Sequence, residues 1–327
     1  MTAIRTADAP DCRLCGATGA PLYADVEDRL FGIPGRWSLL RCASCALVWL
    51  SPRPDAADIG RLYRGYYTHE PDAPPSALQR AVRRGIPAAA LGYADRAPGV
   101  AARLLARIGP LRDAGVRGAL GLEGGLRGRL LDVGCGAGLL LSTLRELGWD
   151  VSGTEIDPDA AAVARQRVGC KVHEGPVEAL SLPGEHYQAV TLSHVIEHVL
   201  DPVATLRECA RLLARSGRLA IVTPNAASRG VLAFGRDWRG WEPPRHIHVY
   251  ESASLLRTVE QAGLRVVSCQ TPASSAYYLW LESARLRGDA PSRLASLRAL
   301  AFWLDEYRRV RAGDPCGEEL LVLAQKT

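Results

Sequence analysis

Residues suited to binding a small charged molecule are concentrated in one short segment of the chain. An apolar, strand-like run ends at Asp132, and three glycines follow at alternate positions, Gly134, Gly136 and Gly138, before an apolar helix pattern begins at Leu139. Glycine lets the backbone pass close to a ligand or adopt positive φ, and the N-terminus of the following helix offers free N–H groups. The spacing predicts a nucleotide-type cofactor site at this turn.

The spacing of the glycines distinguishes this turn from dinucleotide-binding turns, which read G-x-G-x-x-G and hold a diphosphate at the helix end. Position 139 is Leu, so the third glycine comes one residue early. Asp132 is poorly placed for a phosphate and well placed for the ammonium group of an amino acid. A second carboxylate, Glu155, closes the next strand-like run, where two vicinal ribose hydroxyls would be its partners. Together these residues indicate S-adenosylmethionine (SAM).

From residue 129 onward the chain alternates strand-like and helix-like patterns, as a parallel sheet requires. Apolar runs predict seven strands, near residues 129–134, 150–155, 170–173, 187–193, 217–223, 264–270 and 319–325. Amphipathic segments predict helices between them at Leu139–Leu147, Pro158–Arg167, Pro202–Leu213 and Ser252–Ala262. In an open α/β sheet the ligand lies at the carboxyl ends of the strands, so the residues after each strand are the candidates for function.

With these motifs, the chain from about Arg129 to Thr327 resembles the class I SAM-dependent methyltransferases, in which a hydrophobic strand, Asp or Glu, and G-x-G-x-G are followed by an acidic residue closing the second strand. The resemblance implies an α/β, Rossmann-like sheet of seven strands, the seventh inserted antiparallel beside the fifth. It also implies a cofactor site formed by Asp132, Gly134, Cys135, Gly136, Gly138, Glu155, Ile156, Val177, Ser193 and His194.

Glu197 and His198 follow the predicted strand at 187–193, where a base should lie. In the zinc-ribbon sugar C-methyltransferases, which the chain also resembles here, a Glu-His pair lies beside the acceptor. The resemblance implies that His198 removes the acceptor proton and that Glu197 orients it, since methyl transfer from a sulfonium needs an aligned, deprotonated acceptor. The alternative is that Glu197 caps or pairs locally and that His198 packs under the next helix.

A histidine pair lies in the insertion at 226–250, which is rich in Trp and Arg and is predicted to be a substrate lid. His246 and His248 alternate along an extended segment, so only one of them can easily point at the acceptor. A Pro-x-His-x-His pattern in similar enzymes favours His248 as the active-site residue, with His246 or a purely structural role as alternatives. A zinc site formed by His194, His198, His246 and His248 is a further alternative.

Two C-x-x-C pairs near the N-terminus form the clearest metal motif of the chain. The four cysteines are Cys12, Cys15, Cys42 and Cys45. Four thiolates at this spacing suit a closed tetrahedral zinc site with a structural role, and the metal would supply much of the folding energy of so short a segment. Two disulfides or a rubredoxin-like iron are the alternatives, and a reducing cytoplasm disfavours the disulfides.

Composition limits the class of protein. The 327 residues are 47% hydrophobic, which suffices for one large or two smaller domains. No run of 18 apolar residues and no N-terminal signal pattern is present, so we expect a cytoplasmic protein. The formal charge of +5 comes almost entirely from arginine, with Lys171 and Lys326 as the only lysines, and this pattern does not favour a nucleic-acid partner.

These patterns predict three regions. Residues 1–54 would form a zinc ribbon, 55–125 a helical connector or cap, and 126–327 the methyltransferase domain, with substrate-lid insertions at 226–250 and 272–316. The second insertion reads as two amphipathic, arginine-rich helices. It would pack as a lid or against a second subunit, or it would form a groove for a lipid-linked acceptor through peripheral contact with a membrane. No oligomeric state is indicated.

The leading functional prediction is methyl transfer from SAM to a small or carrier-linked metabolite, with a sugar, glycan or natural-product intermediate as the preferred acceptor. An O-methyltransferase acting on a quinone, polyphenol or lipid-like acceptor is the closest alternative, because its motif after the fourth strand is similar. An rRNA methyltransferase, or a SAM-binding module without catalysis, is the alternative from another class.

Overall fold

A computed structural model describes residues 4–63, 77–96 and 99–326. Its strands are β1 Thr6–Ala7, β2 Ala20–Val26, β3 Trp37–Arg41, β4 Val48–Ser51, β5 Arg53–Pro54, β6 Arg129–Val133, β7 Asp150–Glu155, β8 Val172–Glu174, β9 Tyr187–Ser193, β10 Leu213–Pro224, β11 His248–Val249, β12 Leu264–Gln270 and β13 Glu319–Lys326. Its α-helices are α1 Ala77–Ala90, α2 Val100–Leu105, α3 Gly109–Gly118, α4 Leu139–Glu146, α5 Pro158–Val168, α6 Pro202–Leu212, α7 Arg229–Phe234, α8 Ser252–Gln261, α9 Ala276–Arg287 and α10 Arg293–Arg311.

Seven strands form the central sheet in the order β12-β13-β10-β9-β6-β7-β8. The five strands from β10 to β8 are parallel, and β13 runs antiparallel between β10 and β12. Helices cover both faces, which explains why β6, β9 and β10 are apolar on both sides. The predicted Rossmann-like sheet with an antiparallel seventh strand is therefore confirmed.

The helices that follow β7 and β9 begin where the sequence supplies a cap. Asp157 accepts hydrogen bonds from the first turn of α5, and Asp201 does the same for α6; each is followed by proline, which fits the first helical position. The predicted bounds of the strands and helices agree with the structure to within a few residues. The largest difference is at β10, which begins at Leu213 because that residue already pairs with Tyr187 of β9.

A second sheet joins the N-terminal residues to the rest of the chain. Its order is β11-β4-β3-β2, so a strand from the predicted lid at 226–250 pairs with a strand from the predicted ribbon. Cys12, Cys42 and Trp49 belong to the same apolar core as Leu192 and Leu255. The N-terminal sheet is thus packed on the central sheet and includes β11 as its edge strand.

The division at residues 54 and 125 stays a prediction. Part of the predicted connector, residues 64–76 and 97–98, lies outside the described residues. Among the residues that are described, none of the helices combines the length and the apolarity that crossing a bilayer requires.

Candidate active site

Two adjoining cavities lie along the carboxyl edge of β6, β7 and β9. The Glu155 cavity, of about 500 Å³, is lined by residues that include Glu155, Ile156 and Val177. The His246 cavity, of about 520 Å³, is lined by residues that include Asp132 and His246. Four residues line both, Gly134, Gly136, His194 and His198. The two cavities therefore meet at the glycine-rich turn and at the segment that follows β9.

The glycine-rich turn has the backbone that its sequence predicts. Gly134, Gly136 and Gly138 have φ values of 65°, 51° and 80°, in the left-handed region that favours glycine. A Cβ at Gly134 would lie 2.6 Å from the Val195 side chain, and one at Gly138 would lie 2.9 Å from Val168. Larger residues at these two positions would therefore displace neighbouring side chains, Val195 beside the Glu155 cavity in the first case and Val168 of α5 in the second.

Nine of the ten predicted cofactor residues line one or both cavities. The exception is Gly138, which is the N-cap of α4 and supports the turn from behind. Cys135 and Ser193 line the His246 cavity, whereas Ile156 and Val177 line the Glu155 cavity. The structure thus brings the predicted set together around one elongated space.

The two predicted acidic anchors lie in different parts of this space. The Glu155 carboxylate accepts hydrogen bonds from the backbone N–H groups of Gly136 (2.8 Å) and Asp157 (3.0 Å), which fix its position in the Glu155 cavity. Asp132 is buried beside the His246 cavity and accepts a 2.6 Å hydrogen bond from the Thr191 hydroxyl. Burial raises the Asp132 pKa to about 7, and the Glu155 charge adds to the rise while the Thr191 hydrogen bond opposes it.

His194 forms an ion cluster at the end of β9. Its Nδ1 lies 3.3 Å from Glu197 and its Nε2 lies 3.1 Å from Glu319. Arg117 donates two further hydrogen bonds to Glu319, at 2.8 and 2.9 Å. Burial disfavours the charged imidazole, but the two carboxylates outweigh it and raise the His194 pKa to about 9. Arg117 also lies 3.0 Å from His194 Nε2, so His194 joins two carboxylates and a guanidinium in one cluster that faces both cavities.

Glu197 is fully buried and is held from three directions. Its carboxylate accepts hydrogen bonds from His194 and from the Thr223 hydroxyl (2.9 Å), and its backbone carbonyl accepts from the N–H groups of Ile247 and His248. Burial opposes ionisation, yet the His194 hydrogen bond and nearby histidine charges lower the Glu197 pKa to about 2. Glu197 thus fixes the segment after β9 and lies near His198 without a hydrogen bond to it in the described structure.

His198 lies where the two cavities meet, and its ring is oriented by a backbone group. Its Nδ1 is 3.0 Å from the carbonyl oxygen of Arg245. A carbonyl can only accept, so Nδ1 carries the proton, and in the neutral ring Nε2 keeps a lone pair. The ring also makes edge contacts with Tyr63 and His246, at centroid distances of 5.7 and 4.8 Å. This arrangement gives His198 the tautomer that a general base needs.

A buried ion network holds the carbonyl that orients His198. The Arg245 guanidinium is fully buried, donates to both carboxylate oxygens of Asp28 at 2.9 and 3.0 Å, and donates to Glu242 at 2.8 Å. Asp28 also accepts three backbone N–H groups of its own loop. The sequence predicts a functional role for neither Asp28 nor Arg245, because no local pattern pairs two residues so far apart in the chain.

The two lid histidines have different surroundings. His246 lines the His246 cavity, and its Nδ1–H donates a hydrogen bond to the carbonyl oxygen of Gly240, with an N···O distance of 2.7 Å. His248 is buried in β11, opposite Trp49 of β4, and is not among the residues that line either cavity. Burial lowers the pKa of each to about 4. One histidine of the pair therefore reaches the cavity, as alternation requires, and it is His246.

Two groups of side chains place possible metal ligands close together, one at the His246 cavity and one at the four N-terminal cysteines. Ligand atoms of Glu197, His198 and His246 lie within 4.8 Å of one another, a different set from the four histidines considered above. The four N-terminal thiols form a tighter group, with sulfur–sulfur distances of 3.4, 3.5 and 3.7 Å among Cys12, Cys15, Cys42 and Cys45. Tetrahedral zinc–thiolate bonds of about 2.3 Å place sulfurs about 3.8 Å apart, so this donor set fits zinc.

The proteins that this chain is similar to are methyltransferases, the class that the cofactor residues indicate. Residues 93–269, more than half of the chain, match the family model described as "Methyltransferase domain". The ubiquinone biosynthesis O-methyltransferase of Xanthomonas campestris pv. campestris (strain B100) is 33% identical over 174 residues, covering 48% of this chain and 70% of the relative. The enzyme of the same name from Xanthomonas oryzae pv. oryzae (strain PXO99A) is 32% identical over 192 residues, covering 55% and 77%.

Solved structures with some similarity include a SAM-dependent methyltransferase from Archaeoglobus fulgidus, at 21% identity and a TM-score of 0.45, covering 66% of this chain and 93% of that one. Geranyl diphosphate C-methyltransferase from Streptomyces coelicolor A3(2) has 16% identity and a TM-score of 0.46, covering 68% and 81%. On the family match and the relatives, the chain belongs to the class I SAM-dependent methyltransferases, and the prediction made from its glycine-rich turn is confirmed.

Proposed function

We propose that this enzyme methylates a hydroxyl group of a small aromatic, quinol-type acceptor, with His198 as the general base. The observation that carries the proposal is the position of His198: it lines both cavities, and the Arg245 carbonyl fixes the tautomer that leaves Nε2 as a proton acceptor. SAM supplies an electrophilic methyl group on a sulfonium. The protein must supply binding, orientation and a site for the proton.

The residues around the Glu155 cavity suit the nucleoside end of SAM. The Glu155 carboxylate is already oriented by two backbone N–H groups and has lone pairs left for two ribose hydroxyls. Ile156 and Val177 add apolar surface to the same cavity, which suits an adenine ring. Asp132, on the other side of the glycine-rich turn, would hold the ammonium group of the methionine end.

His198 would act on an acceptor bound in the His246 cavity. Bound SAM would supply the methyl group, whose bond to sulfur breaks as the bond to the acceptor oxygen forms, with S-adenosylhomocysteine as the leaving group. The hydroxyl proton would pass to Nε2 of His198, and the Arg245 carbonyl and nearby Glu197 carboxylate would stabilise the imidazolium. A phenolic hydroxyl, whose pKa is about 10, loses its proton to imidazole far more readily than an aliphatic hydroxyl does. The names of the relatives from Xanthomonas point to the same class of acceptor.

A sugar or carrier-linked acceptor, the leading prediction from the sequence, remains the second candidate. The observation in its favour is the polar part of the His246 cavity. Charged and hydroxyl-bearing residues line it: Asp132, Ser193, His194, Arg239, Glu242, Ser275, Tyr278 and Glu319. Such a lining could recognise several hydroxyls of a sugar, although it also suits a polyphenol that carries a carboxylate.

Parallel assays with different acceptors distinguish these functions. The purified enzyme would be incubated with SAM labelled in the methyl group and with 3,4-dihydroxybenzoate, nucleotide sugars or RNA in parallel reactions. We expect the label on a hydroxyl of the dihydroxybenzoate, and the Asp132→Ala variant should transfer little label to any acceptor. Label only on nucleotide sugars would favour the second candidate, and label on RNA would reject both.

We also propose that the four N-terminal cysteines hold one structural zinc ion. The four thiols are close enough for tetrahedral coordination. The backbone N–H groups of Cys12 and Cys42 donate hydrogen bonds to the carbonyls of Ala17 and Leu47, which close the turns that carry the cysteines. Four protein ligands leave no open position for a substrate, so the metal would stabilise the fold and take no part in methyl transfer.

A further inference from the structure

Helix α10 exposes a row of leucines on its outer side. Leu294, Leu297, Leu300 and Leu304 are between 38% and 62% exposed. At about 100° per residue, these four side chains fall within an arc of about 120° on the helix. An apolar face of this kind normally lies against a protein core, so its exposure on α10 indicates a surface with a partner.

The same side of α10 is strongly positive. Exposed arginines border or interrupt the row of leucines: Arg293, Arg298, Arg308 and Arg311. Within residues 4–63, 77–96 and 99–326, no ion pair involves any of these four side chains. The acidic residues of the helix do not offset them, because Asp305 pairs with Arg229 and Arg309 while Glu306 is buried. The face therefore combines apolar surface with four arginines that form no ion pair among the described residues, although Arg298 lies near enough to Asp289 to lower the pKa of that carboxyl.

Helices α2 and α3 carry further exposed apolar residues. Gly109, at the start of α3, lies against the Tyr307 hydroxyl of α10. Ile108 and Leu111, one residue before and two residues after Gly109 in the sequence, are exposed. Two residues of α2, Val100 and Leu104, are also more than half exposed. We call the surface formed by the exposed leucines and arginines of α10 the α10 face.

The α10 face lies one helix away from the His246 cavity. Helix α9 packs on α10, and Ser275, Tyr278 and Leu279, at the start of α9, line the His246 cavity. Tyr278 is itself exposed, so it reaches both the cavity and the solvent side. Whatever binds the α10 face would therefore sit one helix away from the proposed acceptor site.

We propose that the α10 face docks on the surface of an anionic lipid bilayer. A helix that combines leucines with flanking arginines matches the two layers of such a surface, since the leucines enter the headgroup–acyl boundary and the arginines meet lipid phosphates. A second copy of this chain fits less well, because a symmetric contact would place identical arginine-rich faces against each other. This docking surface stands apart from the identity of the acceptor.

Vesicle sedimentation of the full chain tests the proposal. Vesicles of phosphatidylcholine alone would be compared with vesicles of phosphatidylcholine mixed with phosphatidylglycerol. We expect at least about tenfold tighter binding to the anionic vesicles. The Leu297→Glu/Leu304→Glu variant should lose about tenfold or more of that binding, and Arg298→Glu/Arg308→Glu should lose the preference for anionic lipid.

Val267→Glu is the matched control, because Val267 is an exposed aliphatic residue at the bulge of the edge strand β12 and its variant should bind vesicles as the wild type does. Methyl transfer to a soluble acceptor should be unchanged in Leu297→Glu/Leu304→Glu, which separates a failure of docking from a failure of the proposed chemistry. The proposal is overturned if the wild type ignores both kinds of vesicle. It is also overturned if the wild type forms a dimer in solution that the double leucine variant converts to a monomer.

Discussion

The Nδ1 atom of His198 lies 3.0 Å from the backbone carbonyl oxygen of Arg245, and the Arg245 side chain forms a buried, bidentate ion pair with Asp28. A residue of the N-terminal region is thereby connected, through one arginine, to the ring proposed as the base. The pairing of β11 with β4 is a second connection between the N-terminal sheet and the predicted lid. The N-terminal region is part of the structure that holds the active site.

The buried pair of Asp28 and Arg245 should contribute strongly to stability. Asp28→Asn removes the carboxylate that pairs with the buried Arg245 in bidentate geometry, while Glu242 keeps its contact, so we expect the free energy of unfolding to fall by about 3–5 kcal/mol, as measured by urea titration. Asp25→Asn is the control, because its contact with Arg36 is exposed and 3.9 Å long and should be worth less than about 1 kcal/mol. Equal, small losses in both variants would mean that the Arg245 network does not hold the lid.

SAM binding should depend on pH through Asp132. Because burial raises its pKa to about 7, this carboxyl is mostly neutral at pH 6 and mostly ionised at pH 8. If the ionised form holds the ammonium group, the Kd for SAM should be roughly tenfold lower at pH 8 than at pH 6 in a calorimetric titration. Asp132→Asn should remove most of this dependence. At pH 8, Asp132→Ala should cost about 1.5–3 kcal/mol of binding energy, and unchanged affinity would refute the assignment.

The cysteine cluster should carry about one zinc per chain, measurable by mass spectrometry of the metal. Cys45→Ser should release it and disturb the N-terminal sheet. Since β4 pairs with β11, and Ile247 next to β11 donates to the Glu197 carbonyl, methyl transfer should fall as well. Cys170→Ser, outside the cluster, should keep both the metal and the activity. Iron, or full activity after metal loss, would contradict this account.

The sheet and the cofactor residues could be predicted because their signals are local. Asp132 lies one residue before the end of β6 and Glu155 is the last residue of β7, and the positive φ values after Asp132 are marked by glycines in the sequence. The caps at Asp157 and Asp201 are similarly written in consecutive residues. Such features depend on residues a few positions apart, so a single sequence contains them in full.

Other features depend on pairings that no local pattern records. Alternation predicts that one of His246 and His248 faces the acceptor, but the choice follows from the pairing of β11 with β4, about 200 residues earlier in the chain. Glu319 reaches His194 only because β13 inserts beside β10. For the same reason, the sequence predicted Glu197 as the partner that orients His198, whereas the described structure gives that contact to the Arg245 carbonyl.

The role of His198 as the group that accepts the acceptor proton can be measured through the activity of the His198→Ala variant. With a saturating phenolic acceptor, we expect kcat to fall by roughly 10² to 10⁴ while the Kd for SAM stays near that of the wild type. His186→Ala, at the opposite end of β9 from the cavities, should retain full activity. A His198→Ala enzyme with nearly normal kcat would show that alignment alone drives the transfer and would contradict the role proposed for this histidine.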